Sequence, residues 1–121
     1  MTNSFSIFEY LYRDSGNFKV WGALLLSGSS SDEDEAILRS YLEAGELFVA
    51  EQVGIPVLYL DLWALSNGRT HEDHAYHEFV ALRPATLDDD LSGHVTNSVL
   101  NLLAVFRRNM GRWNCSLSPN A

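Results

Sequence analysis

The sequence predicts an α+β domain in which a mostly antiparallel four-stranded sheet carries helices on one face. Two runs of β-forming residues flank a turn near the start, a row of acids opens an amphipathic stretch near residue 32, and a second amphipathic stretch precedes Gly111. Together with the strand-forming segments and the short helical segment between the two amphipathic stretches, these features predict the order β-β-α-β-(α)-β-α. The 121 residues, 46% of them hydrophobic, are enough for one core. We therefore expect a single domain over residues 1–111 and a loose tail over residues 112–121.

The first two strands are predicted to form a β-hairpin. Residues 5–12 and 18–26 are rich in aromatic and β-branched side chains, and residues 13–17 (RDSGN) between them are typical of a turn. Alternation along the first strand is expected to direct two sets of side chains to opposite faces, Phe5, Ile7 and Leu11 on one and Phe8, Tyr10 and Tyr12 on the other.

The first helix is predicted from its start signal. Ser31 or Asp32 can cap it, and a row of four carboxylates suits the positive end of its dipole: Asp32, Glu33, Asp34 and Glu35. Four apolar residues at helical spacing form its expected buried stripe, namely Ile37, Leu38, Tyr41 and Leu42. Gly45 is expected to end the helix.

The central part of the chain predicts a third strand and a short helix. The strand covers residues 47–53 and is stopped by Gly54 and Pro56. Pro56 can open a short helix over residues 57–65, which carries Tyr59 and Trp63.

A fourth strand and a last helix complete the predicted fold. The strand covers residues 75–83, before Pro84, and residues 86–93 form an acidic connector. The helix is expected to run from Thr96 or Asn97 to about Asn109. Its apolar face is expected to hold Val99, Leu102, Leu103, Phe106 and Met110.

The charge balance restricts the class of partner. Sixteen Asp and Glu against eight Lys and Arg give a net charge of -8, which repels phosphate backbones and anionic lipid. The basic cluster formed by Arg107, Arg108 and Arg112 is the only one in the chain, so we expect no direct nucleic-acid binding. No apolar run approaches the roughly 20 residues of a membrane span, and a single cysteine with no secretory leader predicts a cytoplasmic protein.

The histidine-rich segment 71–78 (HEDHAYHE) is the candidate metal site. Its side chains are those that bind zinc, iron or nickel, and the candidate ligands are His74, His77, Glu78 and Asp14. The spacing matches no standard metal motif, and in a strand His74 and Glu78 share one face while His77 points to the other. The favoured interpretation is therefore a polar strand entry with no metal, with a divalent metal bound by these side chains as the alternative. We expect no cofactor.

The sequence contains no nucleophile motif, phosphate-binding glycine loop or dinucleotide fingerprint. We therefore assign no catalytic residue. Most of the aromatic side chains are expected in the core, but Tyr59 and Trp63 are candidates for a partner-binding surface together with the acids at 32–35. The acids also have a purely structural explanation as a helix start.

Three segments resemble a pattern found in small uncharacterised bacterial proteins: residues 12–19 (YRDSGNFK), 45–56 (GELFVAEQVGIP) and 73–79 (DHAYHEF). The resemblance covers roughly residues 6–84 and is specific in order and spacing. It implies a cytosolic protein of a bacterium or phage, with the three segments at one end of the sheet, and brings no activity, cofactor or partner with it.

Two functional hypotheses follow. The first is a non-enzymatic acidic module that binds or regulates another protein with a basic surface, of the immunity, antitoxin or inhibitor type. The alternative is a metal- or small-ligand-binding domain, or a small hydrolase, centred on residues 71–78. A third hypothesis is that the protein is a subunit whose only role is to form homo-oligomers.

Overall fold

The computed structural model describes residues 4–13, 19–58, 76–86, 89 and 95–113. These residues form an α+β fold with a five-stranded sheet. In chain order the elements are β1 (Phe5–Arg13), β2 (Lys19–Ser27), α1 (Asp32–Tyr41), β3 (Leu47–Val49), α2 (Ala50–Val53), β4 (Tyr76–Pro84), β5 (Val95–Ser98) and α3 (Val99–Asn109).

The predicted hairpin is confirmed and forms the centre of the sheet. β1 pairs antiparallel with β2 along its whole length, with Phe5 opposite Ser27 at one end and Arg13 opposite Lys19 at the other. β4 pairs antiparallel with the other edge of β1, with an irregularity at Glu9 and Tyr10. The strand order β3-β4-β1-β2-β5 therefore places β1 in the middle. It is buried on both faces, and Phe5, Glu9 and Arg13 are its partly exposed residues.

The predicted number of strands was wrong, and one of the four strand pairs is parallel, whereas the other three are antiparallel as predicted. A fifth strand, β5, pairs parallel with the end of β2, so the sheet is mixed. The sequence predicts that the last helix begins at Thr96 or Asn97, whereas both residues belong to β5. The helix begins at Val99 instead, where the Ser98 hydroxyl accepts a hydrogen bond from the Asn101 N–H. A four-residue strand is too short to show a periodicity of its own before a helix.

The predicted third strand was too long. β3 ends at Val49, and residues 50–53 form the short helix α2, which closes at Gly54 with a φ of 70°. Ala50, Glu51 and Gln52 are good helix formers, and the left-handed glycine gives this helix a favourable end. Residues 56–58 are irregular, and the rest of the short helix expected over 57–65 lies outside the described residues.

α1 and α3 cover one face of the sheet and run in the same direction. Both begin at the same end of the sheet, because Ser27 at the end of β2 pairs with Ser98, the residue before α3. At their other ends, the Trp113 indole Nε1 donates to the Tyr41 carbonyl over 2.8 Å. The core between helices and sheet is built from the side chains of Phe8, Tyr10, Leu24, Leu26, Leu38, Phe48, Phe79, Leu82, Leu102 and Phe106.

The helix ends differ from the prediction in detail. α1 ends at Tyr41 rather than at Gly45, which lies in the following turn with a φ of 72°. Ile37, predicted in the buried stripe, is 43% exposed, and Met110 of the predicted α3 face is 51% exposed. Trp113 lies within the segment expected to be a loose tail, yet it is buried against Phe48 and Phe106. Residues 114–121 lie outside the described part of the chain.

Within the described ranges, every helix is too short or too polar to span a bilayer.

Candidate functional site

His77 is a buried member of the aromatic core. Its imidazole has no solvent exposure and packs against Tyr12 and Phe48, with ring centroids 5.3 and 5.9 Å away. The Nε2 atom accepts a hydrogen bond from the Leu58 N–H over 3.1 Å. A nitrogen that accepts a hydrogen bond carries no proton, so the ring is neutral with its proton on Nδ1. The lone pair that a metal would need at Nε2 is thus already used by the backbone.

Glu78 projects from the opposite face of the same strand. Its Oε2 accepts from the Arg13 guanidinium Nε over 3.1 Å, and both side chains are partly exposed. Because neighbouring strand residues point to opposite faces, the structure does not bring His77 and Glu78 together.

The other two candidate metal ligands, His74 and Asp14, lie outside the described residues, as does His71. Within the described ranges, no three His, Cys, Asp or Glu side chains are arranged to hold a metal ion. A metal site that includes His74 and Asp14 stays a prediction. The partner-binding candidates Tyr59 and Trp63 also lie outside the described residues.

The acidic row at the start of α1 divides into structural and exposed members. The Asp34 carboxylate accepts from the Ser31 N–H over 3.0 Å, while the Ser31 hydroxyl accepts from the Asp34 N–H over 3.2 Å. The Glu35 carboxylate accepts from the Leu82 N–H of β4 and lies 3.5 Å from an Arg39 guanidinium nitrogen. Asp34 and Glu35 therefore cap and anchor the helix.

Asp32 and Glu33 are different, because both are exposed and neither forms an ion pair or a side-chain hydrogen bond with the residues described. Both lie in the first turn of α1. They are the two members of the row whose charge is available to another molecule.

A charge network that no sequence pattern predicts lies on the sheet face opposite the helices. The Arg83 guanidinium donates to Glu9 over 2.9 Å and makes two bonds of 2.8 Å to Asp89. The paired guanidinium holds the pKa of the Asp89 carboxyl well below its usual range, helped by the Thr86 N–H. The network fixes the chain just after β4, and no spacing in the sequence indicates it because the partners are 74 and 6 residues from Arg83.

Trp21 departs from the expectation that most aromatic residues are in the core. It lies on β2 opposite Leu11, on the face away from the helices, and is 62% exposed. An exposed tryptophan is a frequent anchor in protein interfaces.

In this α+β fold, the buried histidine and most of the partly buried carboxylates therefore serve structural contacts. Comparison of the chain with protein-family models, with curated proteins and with solved structures gives no match.

Proposed function

We propose that this protein is a non-enzymatic binding module that recognises a basic surface of another protein through the exposed carboxylates of Asp32 and Glu33. It would act as a small immunity, antitoxin-like or inhibitor protein of a bacterium or phage, the origin implied by the resemblance described above. The supporting observation is that these two acids at the exposed start of α1 form no ion pair within the described part of the chain, whereas Asp34 and Glu35 beside them are engaged in the fold.

The net charge of -8 adds to this local feature. A negative field attracts basic partners over several ångströms and raises their association rate, and the local carboxylates then set the orientation of docking. The rigid capping box fixes the position of the acidic turn, so little conformational entropy is lost when the partner binds.

The proposal is tested by partner capture on the immobilised full chain, followed by affinity measurement with the captured protein. The variant D32N/E33Q removes two charges and keeps the cap. The matched control is E43Q/E46Q, which removes the same charge from two exposed residues outside the acidic row. Two exposed ion pairs contribute up to about 2 kcal/mol in total, so we expect D32N/E33Q to weaken binding roughly tenfold and the control to change it little.

Two results would count against the proposal. Equal losses in both variants would mean that overall charge, not this turn, attracts the partner. If W21A abolishes capture while D32N/E33Q does not, the partner docks on the opposite face of the sheet and the assignment to α1 is wrong.

A further inference from the structure

A groove with three arginines lies at the far end of the helix layer from the acidic turn. Its volume is about 790 Å³, and its lining comes from one side of α3 and the residues just after the helix: Asn101, Ala104, Arg107, Arg108, Met110 and Arg112. This volume is within the range of roughly 300–1,000 Å³ that is usual for small-molecule sites.

The charges of this groove are not neutralised within the described part of the chain. Arg13, Arg39 and Arg83 each form an ion pair with a carboxylate. The three groove arginines are exposed and form no ion pair with any carboxylate described. In a protein with twice as many acids as bases, three guanidinium groups in one groove with no ion-pair partner among the described residues mark a site for an anion.

The helix dipole accounts for only part of this cluster. The C-terminal end of a helix carries about half a negative charge, and Arg107 and Arg108 in the last turn of α3 already exceed it. Arg112 lies beyond the helix, after Gly111 with its φ of 74°. The left-handed glycine turns the chain so that a third positive charge joins the same groove.

The backbone around Arg112 is fixed before any ligand arrives. The Arg112 carbonyl accepts from the Gln52 side-chain amide over 3.1 Å, and its N–H donates to the Asn109 carbonyl over 2.9 Å. The next residue, Trp113, is buried and hydrogen-bonded to Tyr41. The groove therefore has one rigid wall, which lowers the entropic cost of binding.

We propose that this groove binds a small organic oligophosphate of the nucleoside di- or triphosphate class. Guanidinium groups bind phosphate oxygens in a bidentate manner and keep their charge at all physiological pH values, so three of them match the two to four charges of such a chain. Ala104 and Met110 offer apolar contact to the organic part. Asn101 offers its amide oxygen, while its Nδ2 donates to the Asn97 Oδ1 over 2.8 Å. The net charge of -8 disfavours long polyanions far more than a ligand with few charges, which argues against nucleic acid here.

The test is calorimetric titration of the purified full chain with ATP, ADP, inorganic tripolyphosphate and a short single-stranded oligonucleotide. We expect ATP to bind more tightly than tripolyphosphate or the oligonucleotide. A charge-assisted hydrogen bond contributes about 1.5–3 kcal/mol, so R108Q should weaken ATP binding at least tenfold. R108K keeps the charge without the fork and should fall between R108Q and the unaltered protein.

K19Q is the matched control, because Lys19 is an exposed base on β2 outside the groove. It should change ATP affinity less than twofold. D32N/E33Q, at the opposite end of the helix layer, should also change ATP affinity less than twofold. The outcome of this test is therefore independent of the outcome for the proposed function. The proposal is overturned by the absence of heat at millimolar ATP, by equal losses in K19Q and R108Q, by equal affinity for tripolyphosphate, or by tighter binding of the oligonucleotide.

Discussion

Tyr10 shows how one residue combines a polar group with complete burial. Its side chain is 2% exposed, and its hydroxyl donates to the Pro56 carbonyl over 2.8 Å. The ring lies over Gly22 on the neighbouring strand, where an added Cβ would be only 2.9 Å from the Tyr10 Cζ. Burial raises the pKa of Tyr10 to about 12.

Replacing Tyr10 with Phe should change stability differently at neutral and at alkaline pH. At neutral pH we expect a loss of about 1 kcal/mol, because the Pro56 carbonyl loses its donor. In the unfolded chain a tyrosine ionises near pH 10, so the stability that depends on protonated Tyr10 is complete below about pH 10 and is lost as the pH rises to about 12. Y10F should therefore lose less stability than the unaltered protein over this range, measured by urea unfolding.

Y41F is the control for this measurement, since Tyr41 is only partly buried. If Y10F and Y41F show the same alkaline dependence, the ionisation of Tyr10 is not what destabilises the fold at high pH.

For single residues, the sequence predicts side-chain roles that depend on neighbours in the chain. It does not predict contacts between residues that are distant in the chain. Strand alternation assigned Phe8 and Tyr10 to one face correctly. The neighbouring sequence does not indicate that the Tyr10 ring packs over Gly22 or that His77 accepts a hydrogen bond from Leu58. The partners in these two contacts are 12 and 19 residues apart in the chain.

Among the elements, α1 has the most explicit start signal. The reciprocal hydrogen bonds between Ser31 and Asp34 form a complete capping box. The Glu35 carboxylate extends the same turn to β4 by accepting from the Leu82 N–H. The start of the helix therefore both satisfies its own backbone and attaches it to the sheet.

Removing the Ser31 hydroxyl should lower the free energy of unfolding by about 1 kcal/mol, the usual effect of losing an N-cap side chain. S31T should retain most of the stability because it keeps the acceptor. The loop variant S29A, at an exposed residue before the cap, should be neutral. A neutral S31A in chemical denaturation would show that the box does not stabilise this helix.

Element boundaries were predictable where a side chain signals them and not where tertiary pairing decides. Ser31 was predicted as a cap and is one. β5 exists because Val95, Asn97 and Ser98 pair with the end of β2, which lies about 70 residues earlier in the chain. The division of 47–53 into β3 and α2 likewise follows from pairing, since only Leu47–Val49 lie opposite β4.

Across the fold, Trp113 joins parts that are distant in the sequence. Its ring contacts Phe48 of β3 and Phe106 of α3, with centroid distances of 6.4 and 5.7 Å, and its Nε1 bonds to the last residue of α1. One side chain after the last helix thus holds the ends of both long helices against the sheet.

W113A should be strongly destabilising, by about 4 kcal/mol, because it leaves a large cavity and an unpaired Tyr41 carbonyl. W113F keeps most of the ring contacts and should lose only about 1–2 kcal/mol. The measurement is thermal and urea unfolding of both variants. A loss below about 1 kcal/mol for W113A would mean that the residue adds little to the core and that the expected loose tail begins at 112.

The position of β1 in the middle of the sheet has a consequence for synthesis on the ribosome. β1 is made before the other described strands, and β2 can cover one of its edges at once, but the other edge waits for β4 and therefore for residue 84. Until then the nascent chain presents an unpaired, largely apolar strand edge, which is the kind of surface that aggregates or recruits chaperones. Slow codons or truncation between residues 27 and 84 should therefore increase aggregation or chaperone binding of this protein in the cell.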